Sequence, residues 1–94
     1  MTREDAEDLA VHALGFIAAD TELLPRFLAL TGIEAGQIRQ AAREPGFLAG
    51  VLQFIAAHEP TLLRFAESAH VAPRSVDEAL RALPFGAESF DRSV

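Results

Sequence analysis

One pattern recurs along this chain at a fixed distance. Phe16-Ile17-Ala18-Ala19, followed by Leu24-x-Arg26-Phe27, returns 38 residues later as Phe54-Ile55-Ala56-Ala57 and Leu62-x-Arg64-Phe65. The same offset, without a gap, pairs Leu14 with Leu52, Ala41 with Ala79 and Arg43 with Arg81. Ile33/Val71 and Ile38/Val76 follow it conservatively. A period of this size marks a repeated supersecondary unit. Several matches are alanines in an alanine-rich chain, so duplication and chance likeness of two helical hairpins both stay open. Either way, each unit reads as three helical segments. The first ends in Phe-Ile-Ala-Ala, the second opens near Leu-x-Arg-Phe, and the third carries Ile38 or Val76.

Helical spacing fills in the segments. Ala6, Leu9, Ala10, Ala13, Leu14, Phe16 and Ile17 predict a helix from about Arg3 to Ala19, with Thr2 as N-cap. Its acidic start, Glu4 to Asp8, suits the positive end of the helix dipole and solubility; a docking patch for a basic partner is the other reading. Asp20 or Thr21 caps the next segment, where Pro25 either starts or bends the helix, and Thr31-Gly32 stops it. A short, weak helix follows, ending near Arg43 with Ile38, Ala41 and Ala42 inward. Pro45 is expected at a first helical position. Helix 46–57 is apolar on most of its circumference and so is expected at the centre. Gly46 and Gly50 either admit another helix closely or loosen this one. Leu62, Leu63, Phe65, Ala66 and Ala69 should face inward after Pro60. Pro73 opens a last helix through Val76, Ala79, Leu80 and Leu83, and Ala72 is a poor cap for it. Short connections favour a compact all-α array of five or six helices. One domain spans 1–86, with similar halves at 9–45 and 47–83, and 87–94 is read as a frayed tail.

With 94 residues, half of them hydrophobic, a core can form without metal or disulfide, and there is no cysteine. The net charge of −6 argues against phosphate binding and permits a basic protein partner. The N-terminus is acidic where a secretory signal would be basic and then apolar, and no apolar run approaches the ~20 residues that span a bilayer. A cytoplasmic location is therefore expected.

Two stretches have helix-turn-helix spacing, 66–80 and 28–42, with His70 and Gly32 at the turn position usually held by glycine. Val76 and Ala79 are expected to face back to the first helix of their pair. The positions that would meet DNA are Ala72, Pro73, Arg74, Asp77 and Glu78 in one copy, and adjacent carboxylates repel phosphate. DNA binding is thus the lesser alternative. His12, His58 and His70 share no i, i+4 spacing, and Pro60 and Leu62 break any zinc-protease reading of His58-Glu59, so no metal or cofactor is expected. No glycine-framed serine or glycine-rich phosphate loop occurs, and the chain reads as non-enzymatic. Arg26 and Arg64, each just before the matched phenylalanine, should extend along the core edge and pair with a carboxylate such as Glu22 or Glu67.

The run Phe-Ile-Ala-Ala-His-Glu-Pro-x-Leu-Leu-x-Phe at 54–65, with Phe27-Leu28-Ala29-Leu30-Thr31-Gly32-Ile33 before it, resembles a family of short alphaproteobacterial proteins of unknown function. The resemblance covers about residues 4–86 and implies a small helical cytoplasmic protein, with no catalytic residues to carry over. That family tends to have an acidic cap before the last helix, where this chain has Ala72. By elimination the chain reads as an interaction or regulatory module, with Arg26, Arg64, His58, Glu59 and Arg74 as candidate partner-binding residues. An exposed face on Leu28/Leu30 or Phe85/Phe90 would mark a homodimer.

Overall fold

A computed structural model of the protein describes residues 1–84. All the described regular structure is helical: α1 (Arg3–Ala19), α2 (Leu23–Thr31), a 3₁₀ turn (Ala35–Gln37), α3 (Ile38–Ala41), α4 (Phe47–Ala56), α5 (Glu59–Ala69) and α6 (Arg74–Ala82). Phe85, Phe90 and the tail 87–94 lie outside the described residues.

The local chemistry explains most of the boundaries. The Asp5 amide donates to Thr2 Oγ1 at 3.1 Å, which satisfies one orphan donor at the start of α1. Before α2, the Glu22 and Leu23 amides both donate to Asp20 Oδ1, at 2.8 and 3.0 Å. Pro25 then falls in the first turn of α2, where no N–H is needed. Glu34 and Gln37 form a reciprocal capping box around the 3₁₀ turn. Pro60 occupies the first turn of α5. The expectation for Pro45 needs correcting. It lies in a turn before the helix, and Gly46, with φ of 89°, is the residue that lets α4 begin at Phe47.

Helices α2 and α5 end alike. Gly32 stops α2 at φ 74°, and His70, 38 residues on, stops α5 at φ 58°. Both sit in the left-handed region, which glycine enters freely and histidine only at a steric cost. The His70 amide donates to Glu67 O at 3.3 Å and the Val71 amide to Ala66 O at 3.0 Å, so the turn is closed without glycine.

The three helices α1, α4 and α6 pack pairwise against one another, α5 lies across α1 and α4, and α2 lies against α1. Helix α1 is therefore the hub, rather than 46–57 alone as its apolar circumference suggests. Its buried stripe is Ala6, Ala10, Ala13 and Ile17, and α4 contributes Ala49, Val51, Leu52 and Ile55. Leu23, Phe27, Phe65, Val76, Ala79, Leu80 and Leu83 complete the core. A Cβ built on Gly50 would meet nothing within 4 Å, so no helix approaches there. Leu63 is exposed, and Thr61 is buried in its stead.

The order of elements is the same at the 38-residue offset, α1/α4, α2/α5 and 3₁₀–α3/α6. Helices α2 and α5 also agree in burial at Leu23/Thr61 and Phe27/Phe65, while α1 and α4 share buried positions only at Ala13/Val51 and Ile17/Ile55, exposed Val11 standing opposite buried Ala49. The third pair shares no buried position. One turn of α3 buries no residue, whereas α6 buries Val76, Ala79 and Leu80 against α1 and α4. In the 66–80 stretch, Val76 and Ala79 are buried as expected, and the helices that α6 packs against are α1 and α4 more than α5.

Candidate functional site

Two concave regions hold the polar side chains of interest. The first is a cleft of ≈ 480 Å³ between the N-terminal half of α1 and the α5–α6 junction. Leu9, Ala69 and Val71 form its apolar floor, half-buried, and Met1 stands 53% exposed beside them. Asp5, Asp8 and Glu78 bring three carboxylates to its lining, with His12 and Ser75, and no arginine joins them. Helical spacing accounts for the grouping: Asp5, Asp8, Leu9 and His12 fall on one face of α1. The His12 ring in turn meets the buried Phe65 ring edge-on at 5.8 Å. The acidic start of α1 thus has a second role beside complementing the helix dipole. It charges the mouth of an apolar depression.

The second region is a cavity of ≈ 200 Å³ between α2 and the α4–α5 junction, lined by Leu23, Arg26, Leu30, Phe54, Ala57, His58 and Thr61. Thr61 is buried, and its Oγ1 shares a 2.8 Å hydrogen bond with His58 Nδ1. Leu30 stands 74% exposed, while Leu28 packs against the core, so a Leu28/Leu30 face reduces to Leu30 alone.

The five candidate residues separate. Arg26 and His58 both line the α2–α4–α5 cavity. Arg64 lies elsewhere: its Nη2 is 3.6 Å from Asp20 Oδ2 and its guanidinium carbon 5.9 Å from the centre of the Phe16 ring. The expectation of a local carboxylate holds for Arg64, with Asp20 as the partner in place of Glu22 or Glu67. Arg26 has no ion pair among the described residues. Glu59 opens α5 and Arg74 opens α6, both exposed and apart from the two concave regions. The α1–α6 cleft was not legible in the sequence, because its two walls are about sixty residues apart.

The acidity of Asp20 is displaced. The Glu22 amide, then the Leu23 amide, and then the Arg64 charge hold its carboxyl below the ordinary aspartate value. A depressed native pKa gives stability that is present above the unfolded value, about 3.9, and is lost as pH falls through the native one. Asp20→Asn keeps an amide-accepting oxygen but removes the charge. The variant is expected to be less stable than the parent at neutral pH, with the gap closing on acidification below about pH 4. Urea midpoints measured across that range check it; a gap that widens in acid would exclude Asp20 as the source.

Among the described residues no cluster of three or more His, Asp or Glu is placed to hold a metal ion, and no helix is long and apolar enough to cross a membrane. No curated protein and no solved structure matches the chain. A family model does match, over residues 3–86, which takes in every helix described above, both concave regions except Met1, and the repeated Arg-Phe pairs. The chain belongs to that family, the one described as "Protein of unknown function (DUF3572)".

Proposed function

We propose that this protein is a non-enzymatic interaction module that takes a basic, amphipathic segment of a protein partner in the α1–α6 cleft. One observation carries the reading: an apolar floor of Leu9, Ala69 and Val71 under Asp5, Asp8 and Glu78, with no arginine in the lining. Apolar surface supplies the burial, and the carboxylates choose the sign of the partner and speed its arrival. The overall charge of −6 acts in the same sense. The alternative, DNA binding through 66–80, is disfavoured by this cleft. A duplex approaching the start of α6 would bring phosphates toward Glu78, Asp5 and Asp8.

A synthetic amphipathic peptide of alternating Arg and Leu turns is a sufficient probe. Titrated into ¹⁵N-labelled protein, it should shift Leu9, Ala69, Val71 and Ser75 in a saturable way, more weakly as salt rises. The triple variant Asp5→Asn/Asp8→Asn/Glu78→Gln should bind about tenfold more weakly, taking ~0.5 kcal/mol per exposed charge. A duplex DNA should shift none of these residues. Saturable DNA binding at physiological salt, or peptide shifts spread evenly over the surface, would overturn the assignment.

A further inference from the structure

The aromatic contacts of the two units are exchanged between them. Phe16 of α1 meets Phe65 of α5 edge-on at 5.5 Å. Their counterparts at the 38-residue offset are Phe54 of α4 and Phe27 of α2, which meet edge-on at 5.4 Å. The molecule therefore contains two versions of one arrangement, and an arginine precedes the α5 or α2 phenylalanine in each.

In one version the arginine is neutralised from within. Arg64 lies over Phe16 and pairs with Asp20 at 3.6 Å. In the other version the position of Asp20 is held by His58, and the imidazole Nδ1 is engaged by Thr61 Oγ1. Arg26, an exposed residue, makes no ion pair among the described residues, and Glu22, four residues before it at the N-cap of α2, does not reach it. What stands there instead is the ≈ 200 Å³ cavity, walled by Leu23, Leu30 and Phe54 and shared by Arg26 and His58. A guanidinium at an apolar cavity lacks the carboxylate that its twin possesses.

We propose that this cavity binds a carboxylate on a short apolar stem: the stem lies against Leu23, Leu30 and Phe54, and the carboxylate meets Arg26. Guanidinium pairs with carboxylate through parallel, charge-assisted hydrogen bonds, and the apolar walls beside Arg26 give the stem a surface to lie on. The volume lies below the ~300 Å³ at which pockets for drug-sized ligands begin, so the stem is a few carbons long. The site shares no lining residue with the α1–α6 cleft and stands or falls independently of it.

The test titrates full-length ¹⁵N-labelled protein with sodium hexanoate and, in parallel, with hexanol, which has the same stem and no charge. Hexanoate should give saturable shifts at Leu30, Ala57, His58 and Thr61 with a dissociation constant of about 1 mM or below, and hexanol should bind at least tenfold more weakly. Arg26→Gln should weaken hexanoate at least tenfold, and Arg64→Gln should leave it unchanged. His58→Asp restores the internal carboxylate of the twin. It should abolish hexanoate binding while raising the thermal midpoint, which separates occupancy of the site from unfolding. A tetrapeptide ending in leucine, as free acid and as amide, distinguishes the source. Tighter binding of the acid than of hexanoate assigns a chain terminus, the reverse assigns a free acid, and either supports the carboxylate site. Equal shifts with hexanol, no saturable shift, or unchanged affinity in Arg26→Gln would overturn it.

Discussion

Phe65→Ala is expected to remove about 3–5 kcal/mol of folding stability, the typical cost of truncating a core phenylalanine. A domain of 94 residues has a total of roughly 5–14 kcal/mol, so the variant would lose a large share of it and could unfold in part near ambient temperature. The size of the effect follows from the position. Phe65 is 0% exposed, and its ring meets Phe16 at 5.5 Å and His12 at 5.8 Å, so one side chain ties α5 to a full turn of α1. Truncation leaves both neighbouring rings without an edge partner and opens a cavity on the hub helix. Leu63→Ala, two residues away but 49% exposed, is the matched control and should stay within about 0.5 kcal/mol. Denaturant unfolding followed by circular dichroism measures both. Similar losses for the two would mean that α5 is rotated from the orientation described here.

How far the sequence exposed this structure depends on the range of the interaction. Local chemistry was legible: Thr2 and Asp20 cap where their types suggest, Gly32 stops α2, and the spacing from Ala6 to Ile17 marks the buried face of α1. Pro45 and Gly50 misled because their backbone roles depend on neighbours. Gly46 supplies the left-handed turn that pushes the start of α4 past Pro45, and nothing packs on Gly50. The 38-residue echo sets Arg26 and Arg64 at matching positions, yet their surroundings differ, with Asp20 beside Arg64 and His58 at the corresponding position near Arg26. The acid-rimmed cleft is built from residues at opposite ends of the described chain, and no periodicity within a single helix can reveal such a meeting.

Ala10→Leu is the second large effect, and its sign separates packing from composition. By composition the change is benign, since leucine is more apolar than alanine and nearly as good a helix former. Packing gives the opposite result. Ala6, Ala10 and Ala13 are each 0% exposed on α1, the helix that α4 and α6 both pack against. Small side chains there set how near those helices lie to its axis. A leucine at Ala10 has no void to enter and must push at least one helix outward or adopt a strained rotamer, at a cost of about 1–3 kcal/mol or more. The shift also propagates, because α1 holds both the Asp5–His12 wall of the cleft and the Phe16 ring under Arg64. Ala18→Leu, on the exposed side of the same helix, carries the same change in composition and should be close to neutral. Thermal and denaturant unfolding of the pair decides the matter. If Ala10→Leu proved as stable as Ala18→Leu, the alanine stripe would not be setting the spacing of the three central helices, nor the geometry of the α1–α6 cleft that they frame.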